Sequence, residues 1–513
     1  MSVQMATDSK EIELKLALPG SDPSTLARRL ARIPLLARRQ STKQLLHNIY
    51  YDTPEQILRQ RGVALRLRRV GDAAKRQWLQ TLKTGGRNDS ALSQRGEWEV
   101  PVRSARLSLR ALQDTPWAAI DPEGTVFPAL TPAFEITFER TLWLLRRRDG
   151  SRLELALDIG QIAAGDRTTP VCEMELELKA GRPAALFEVA RQIAQSIFLL
   201  PASSSKAERG YALAQNSINA ALRAQSRLLP SRLTLSEVAQ SVLREMFSQF
   251  TTNLNALLVS DDPEVVHQAR VGWRRFKSAW RFFRPALAIE AIPSWQPLQA
   301  LLTALGKSRD LDVARLDILP PIATAYVADD PRRAEVWQRL MLALDQSVSL
   351  QRKAVYQALQ EPAVGACLLA TTQWLESLTD PPAPDHAGVE SDTSPRRWTQ
   401  ARIKRLHKKL QVARKDVDQP DQEHRVRILA KRMRYNVEAV QSLLPSKLAI
   451  RWQQQASSLQ TSLGALRDAR QTAVLAAELE VDRGLAEFLR GFAAEQHALS
   501  MAQPAPIQNS RRQ

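Results

Sequence analysis

Charged residues recur at every second position in several separate stretches of this chain. As a strand, Glu11-Ile12-Glu13-Leu14-Lys15-Leu16 puts Glu11, Glu13 and Lys15 on one face and Ile12, Leu14 and Leu16 on the other. Val63-Ala64-Leu65-Arg66-Leu67-Arg68 repeats the pattern with cations, Arg66 and Arg68. Glu97-Trp98-Glu99-Val100 repeats it with carboxylates, and Cys172 to Lys179 extends it to Glu173, Glu175, Glu177 and Lys179. Leu155-Ala156-Leu157-Asp158 adds one Asp in a similar setting. Rows of ammonium and guanidinium groups take phosphate oxygens, and rows of carboxylates take hard divalent cations. Together they suit a polyanion bound with a metal.

Strands with one charged and one apolar face imply a barrel turned inside out, its outside covered by helices. Residues 1–215 read as this β-rich domain. Pro19-Gly20 closes the first strand, and Asp22-Pro23-Ser24 starts a helix through Leu26 and Leu30. Tyr50 to Thr53 leads towards the Arg66/Arg68 strand, and Trp78 to Lys83 is a further strand ending at the Thr84-Gly85-Gly86 turn. Phe134 to Leu144 alternates again, with Phe138 and Arg140 on one face. Pro183 to Leu200 reads as one amphipathic helix, and Ser203 to Tyr211 as a basic loop able to close one end of the lumen. His47 is read as structural.

A chain of 513 residues holds two or three domains. Its net charge of +18 points to an anionic partner: nucleic acid, a phosphate polymer or an anionic surface. Cys172 and Cys367 fit no metal spacing and read as buried thiols of a reducing compartment. With no signal peptide and no apolar run long enough to span a bilayer, the expected location is cytoplasmic, with no membrane partner.

The ordered rows resemble the CYTH domain, the triphosphate tunnel metalloenzyme family, whose ExExK signature matches Glu11, Glu13 and Lys15. The resemblance implies that Lys15, Arg66, Arg68, Lys83, Arg140 and Lys206 hold phosphate. It makes Glu11, Glu13, Glu97, Glu99, Asp158, Glu173 and Glu175 the set that coordinates Mg²⁺ or Mn²⁺ and positions water. Glu11, Glu13, Lys15, Arg66, Arg68, Lys83 and Arg140 are the implied catalytic residues. An ordinary sheet with a salt-bridged solvent face is the competing explanation, but it requires five or more strands to share one unusual pattern.

From about Gln225 the periodicity becomes helical. Thr234-Leu235-Ser236-Glu237 is a capping box, and Asp262-Pro263-Glu264 starts a helix carrying His267, Arg270, Arg274 and Arg281, with Val266, Trp273, Phe276 and Trp280 behind them. His267 to Lys277 aligns with His424 to Arg434, 157 residues later, and Leu305-Gly306 to Arg309-Asp310 aligns with Leu463-Gly464 to Arg467-Asp468, 158 residues later. Two matches at nearly one offset indicate an internal duplication: an all-α bundle over 228–500, with halves 228–378 and 396–500, a linker at 379–395 and a disordered tail at 503–513.

This region resembles the CHAD domain, a helical module named for its histidines and known as a polyphosphate binder. The resemblance implies that His267, Arg270, Arg274, His424, Arg427, Lys431 and Arg434 line a basic groove between the halves. Lys277, Arg281, Lys307, Arg309, Lys404, Lys408 and Arg432 are secondary members. Ala465 and Leu466 stand where the first half has Lys307 and Ser308, which breaks the symmetry at that end. The competing account of each histidine is local hydrogen bonding at a helix start, and that of the basic stripe around Lys404 a solvated face. No specific nucleic acid is expected, because Trp273, Phe276 and Trp280 sit on apolar positions rather than forming a stacking platform.

The expected protein is therefore an α+β antiparallel barrel tunnel followed by a helical polyphosphate-binding domain. Its expected activity is metal-dependent hydrolysis of inorganic tripolyphosphate. Thiamine triphosphate or ATP (the latter including a cyclase reaction) are alternative substrates. A non-catalytic protein of polyphosphate granules is the alternative without turnover.

Overall fold

The computed structural model describes residues 10–71, 77–85, 90–225, 228–230, 232–287, 292–378, 394–414, 420–479 and 482–502. The proposed linker at 379–395 (apart from Ser394 and Pro395), the tail at 503–513 and Gly86 of the expected turn lie outside them.

The first region is built from β1 (Lys10–Ala17), α1 (Pro23–Ala31), β2 (Ser41–Asp52), α2 (Ile57–Gln60), β3 (Ala64–Val70), β4 (Gln77–Lys83), β5 (Leu92–Val102) and α3 (Trp117–Ile120). It continues with β6 (Thr131–Arg146), β7 (Arg152–Ala164), β8 (Arg167–Ala180), α4 (Ala184–Ala194), β9 (Leu200–Pro201) and α5 (Lys206–Ala214). The strands run antiparallel in the order β5-β4-β3-β2-β6-β7-β8-β1, and a β1–β5 pairing closes them into an eight-stranded barrel. Closure leaves no edge among these eight strands and creates an interior. The short β9 adds to β1 outside that ring.

Alternation decides which side chains fill the interior. Leu14, Leu16, Leu155, Leu157, Met174 and Leu176 point outward into a core shared with Leu26 and Leu30 of α1 and Leu186, Phe187 and Val189 of α4. Asp22 caps α1, accepting from Ser24 N at 3.0 Å. Leu65 and Leu82 pack outward against Leu58, Leu112 and Trp117. The charged residues between these apolar ones turn inward.

Two expected elements differ. The amphipathic helix stops at Ala194, and the chain returns as β9 before Lys206. The expected basic loop is helix α5, started by a capping box in which Ser205 and Glu208 bond reciprocally. Cys172 is half-buried rather than buried, while Cys367 is buried, and both thiols are free.

The second region contains α6 (Leu235–Leu257), α7 (Pro263–Phe283), α8 (Gln299–Val313), α9 (Ala323–Val327), α10 (Pro331–Leu359), α11 (Pro362–Ser377), α12 (Pro395–Ala413), α13 (Pro420–Ala439), α14 (Ser446–Glu478) and α15 (Arg483–Ala502). The capping box at Thr234 and the Asp262 cap form as expected. Phe247, Phe250, Trp273, Phe276 and Trp280 pack in the core behind the basic positions of α7. The segments aligned at the 157- and 158-residue offsets lie on α7 and α13 and on α8 and α14, and α7 packs against α13.

The two regions pack together. Leu369 of α11 joins the barrel's outer core, and Leu200 of β9 joins the helical core. Arg244 pairs with Glu376, which also accepts from Ser90 Oγ at 2.6 Å.

Helix α5 closes tightly on the barrel at Gly210. A Cβ there would lie 2.2 Å from the Phe134 ring, which is stacked on Tyr50 and edge-on to Tyr211 and has nowhere to move. Gly210→Ala is expected to destabilise the protein by about 1–3 kcal/mol through overpacking. Thermal unfolding of the variant would show a lowered Tm, and an unchanged Tm would contradict this packing.

Candidate active site and basic groove

The barrel interior is a cavity of about 1480 Å³ lined by Glu11, Glu13, Lys15, Arg66, Arg68, Lys83, Arg95, Glu97, Glu99, Arg140, Glu175 and Lys206, among others. That exceeds the roughly 300–1,000 Å³ of small-molecule pockets and leaves room for an extended polyanion with hydrated cations.

Strand register sets opposite charges side by side. Glu11 lies across from Arg95, Lys15 from Glu175, Lys83 from Glu97 and Arg140 from Asp158. Cross-strand pairs of opposite sign stabilise a ladder, and here they also keep the buried ions paired. Lys83 Nζ lies 3.0 Å from Glu11 and 2.9 Å from Glu97. Lys15 is 2.7 Å from Glu13, and Arg66 reaches Glu97 at 3.3 Å. Arg68 donates to Asn48 Oδ1 at 2.9 Å and stands 3.7 Å from Glu99.

A second cluster gathers Asp158, Glu173 and Glu175, with one oxygen of each within 4.8 Å of the others. Three hard oxygen donors at that spacing fit a divalent cation such as Mg²⁺ or Mn²⁺. The Lys206 ammonium now lies among them, 2.7 Å from Asp158, 2.9 Å from Glu175 and in contact with Glu173. A metal would have to displace it. Arg140 grips the same cluster with two 2.7 Å bonds to Asp158 and one of 2.7 Å to Glu175.

The electrostatics follow from this crowding. Burial works to raise the Glu97 pKa, but Lys83 and Arg66 outweigh it and hold the carboxyl at about 2. Glu175 is likewise held well below the carboxylate range, because Lys206 and Arg140 overcome its burial. Burial, with Arg66 beside it, brings Arg68 down to about 10. Glu177, further along β8, is pushed upward by burial.

The structure thus brings every expected tunnel residue into one interior, but Asp158 and Glu173 sit behind Lys206 rather than on the open wall. His47 bonds Thr137 Oγ1 at 2.9 Å, away from the cavity. Sequence reasoning missed Arg95, which bonds Glu11 at 2.9 Å and Glu13 at 2.5 Å. Its signal was present: Arg95 precedes Glu97 by two and shares its face. Arg209, one turn after Lys206, bonds Glu173 at 3.0 Å.

The basic cluster expected to line a groove on the helical region is of another kind. Arg270 of α7 lies over Gly306 of α8, 2.7 Å from where a Cβ would stand. The field of Arg309, Arg274 and Arg270 reaches His267, and that of Arg274, Arg427 and Arg467 reaches Lys431. Burial and then these neighbours bring His267 down to about 4, Arg270 to about 10 and Lys431 to about 7. Arg467, which sequence reasoning left unassigned, pairs with Asp310 at 3.4 Å across α14 and α8. His267 Nδ1 and the Nε atoms of Arg270, Arg274 and Arg434 are buried with no hydrogen-bond partner among the described residues. His424 is exposed, and Arg434 lies over the Tyr435 ring at 4.9 Å.

Removing Arg95 tests the tunnel's pairing directly. Among the described residues, Arg95→Ala leaves Glu11 and Glu13 with Lys83 and Lys15 as their cationic partners, so a loss of about 2 kcal/mol is expected, below the 3–5 kcal/mol of a sole partner. Urea unfolding at pH 7.5 reads the loss, and a stability equal to wild type would contradict the pairing.

Comparison with known proteins agrees with this architecture. The CYTH domain model matches residues 9–211, and the CHAD domain model matches residues 241–477. An inorganic triphosphatase of Haemophilus influenzae is 34% identical over 208 residues, a match covering 40% of this chain and 55% of that protein. The chain thus spans about half the length of that relative. The crystal structure of the CHAD domain from the plant Ricinus communis is 28% identical, covering 56% of this chain and 93% of that one, with a TM-score of 0.46. A Hippeastrum protein described as a candidate adenylyl cyclase with a dominant triphosphatase activity is 20% identical, covering 40% of this chain and 96% of that one, with a TM-score of 0.29. On the two family matches, the chain carries a CYTH domain followed by a CHAD domain.

Proposed function

We propose that the barrel hydrolyses inorganic tripolyphosphate to pyrophosphate and orthophosphate, and that the helical region binds long-chain polyphosphate. The observation that carries the first part is the closed interior whose cations and carboxylates alternate around one wall. Its likeness to an inorganic triphosphatase supports the same reading. Lys15, Arg66, Arg68, Lys83, Arg95, Arg140 and, once a metal takes its carboxylate partners, Lys206 would take the oxygens of a linear phosphate chain, and they fix its position without a base or sugar pocket. Glu11, Glu13, Glu97, Glu99 and the Asp158, Glu173, Glu175 cluster would hold Mg²⁺ or Mn²⁺. When bound, the metal supplies charge neutralisation along the phosphates.

Hydrolysis then needs little covalent help from the protein. Water oxygen bonds to the terminal phosphorus, the bond to the bridging oxygen breaks, and pyrophosphate leaves with that oxygen. A wall carboxylate orients the water, and its proton passes to solvent. The cationic row stabilises charge that spreads over the transferred phosphoryl group.

The helical groove supports polyanion binding through its surplus. Burial, and then mutual repulsion among its cations, depresses Arg270, Arg427 and Lys431, and several buried nitrogens have no hydrogen-bond partner among the described residues. A phosphate chain supplies both the missing charge and the missing acceptors. This reading suits a cytoplasmic protein at polyphosphate granules. Among the described residues, no helix is long and apolar enough to cross a membrane.

Phosphate release from tripolyphosphate, long-chain polyphosphate, ATP and thiamine triphosphate, with Mg²⁺, Mn²⁺ or EDTA, tests the first part. Metal-dependent release from tripolyphosphate should fall at least about 100-fold in Glu13→Ala, while polyphosphate binding persists. Faster turnover of ATP or thiamine triphosphate would replace the substrate, and no release from any would remove the activity.

Binding in the groove should take up protons. With Lys431 at about 7, a growing fraction is neutral above that pH, and an approaching anion favours its charged form. Calorimetry of polyphosphate binding at pH 7.5, in buffers of different ionisation enthalpy, should show net uptake that is lost in Lys431→Met. Affinity should decline as pH rises from 7 to 9. Uptake of the same size in the variant would place the proton elsewhere.

A further inference from the structure

The segment that delivers Lys206 to the tunnel is held between the barrel and the helical region. On the barrel side, β9 pairs with Leu16 and Ala17, and Ala202 N donates to Lys15 O at 3.0 Å. On the other side, Asn255 Nδ2 donates to Pro201 O at 3.0 Å, and Ser203 Oγ meets Ser248 Oγ and Thr252 Oγ1 at 3.2 Å each. Ser248, Thr252 and Asn255 fall at i, i+4 and i+7, one stripe of α6. Nearby, α11 approaches so closely at Gly365 that a Cβ would stand 2.6 Å from Leu199 O. Beyond α5 the chain is clamped again. Leu222 N donates to the buried Asn253 Oδ1 and Leu222 O accepts from its Nδ2, both at 3.0 Å.

Both ends of the segment bearing Lys206 and Arg209 are therefore fixed to α6. Between Ser203 and Lys206 there is no slack, because Ser205 is already committed as the α5 cap. The ammonium that neutralises Asp158, Glu173 and Glu175 is thus set in place by contacts from outside the barrel. Resting on the tunnel reading above, we propose that Ser248, Thr252 and Asn255 are positioning residues for Lys206, so that the first helix of the CHAD region completes the phosphate-facing wall of the CYTH tunnel. Their loss lets Lys206 drift, lowers the positive potential at that wall and weakens substrate binding more than turnover.

The test uses full-length Ser248→Ala/Asn255→Ala, Lys206→Ala and the combined triple variant. For tripolyphosphate, KM should rise about five-fold in the double variant with kcat within about two-fold. In the Lys206→Ala background the two α6 changes should add nothing further to KM. Hydrogen exchange of residues 202–214 should quicken in the double variant, while polyphosphate binding by the groove stays as in wild type. An unchanged KM with unchanged exchange, or an equal rise in both backgrounds, overturns the proposal. If wild type releases no phosphate, the tunnel reading fails, and exchange together with calorimetric tripolyphosphate affinity still decides the positioning. Should the double variant not fold, Ser203→Ala removes the hydrogen bonds to Ser248 and Thr252 from the other side and is read the same way.

Discussion

An ionised interior is costly unless each charge has a partner at close range, and strand register supplies those partners here. Because side chains alternate across a strand, a one-residue slip would turn the inward carboxylates and cations into the apolar shell. The same slip would bring leucines into the lumen. The apolar outer layer and the paired inner layer therefore select one register together. The outer leucines alone would fix the facing of each strand, but the lumen also decides which charge meets which. Lys15 opposite Glu175 and Lys83 opposite Glu97 are consequences of that choice.

The two anion sites solve opposite electrostatic problems. In the tunnel, cations are matched by carboxylates, so Glu97 and Glu175 are held ionised and the wall is stable without ligand. In the helical cluster, the cations outnumber nearby acids, and burial followed by their mutual repulsion depresses the arginine and lysine pKa values. A matched site favours a compact ligand that exchanges partners with the wall. A mismatched site favours a long polyanion that relieves repulsion wherever it lies. On the proposed reading, one protein presents two forms of phosphate recognition, and their difference follows from the local charge balance.

Much of this was legible in the sequence, because period-two charge is rare enough to name a face as well as a strand. The helical region announced itself through caps at Thr234 and Asp262 and through the repeated His-x-x-Arg segments. What escaped was set by contacts remote in sequence. Arg95 went unassigned because its role rests on Glu11, which the β1–β5 pairing places opposite it. Helix α5 was hidden because Ser203-Ser204-Ser205 reads as a loop, although Ser205 and Glu208 form a capping box. The Pro183–Leu200 helix was drawn too long because Ile197, Leu199 and Leu200 are apolar at helical spacing. Pairing with β1 and packing on α6 and α11 claim that end of the segment instead.

The shared boundary also bears on how the two regions work as one molecule. Residues 200–205 are short, and their hydrogen bonds are divided between β1, which bears Glu11, Glu13 and Lys15, and α6, which packs along α7 with its groove cations. Any shift of α6 relative to the barrel must therefore break bonds on one side of this strap or carry Lys206 with it. Buried Arg275 ties α6 and α13 together through Glu245 at 3.0 Å and Glu438 at 3.2 Å, so α6 does not move independently of the groove. Coupling between two sites requires a physical element whose position both can bias. The strap and α6 make the contacts shared by both regions, so coupling between the tunnel and the helical cluster would have to pass through them.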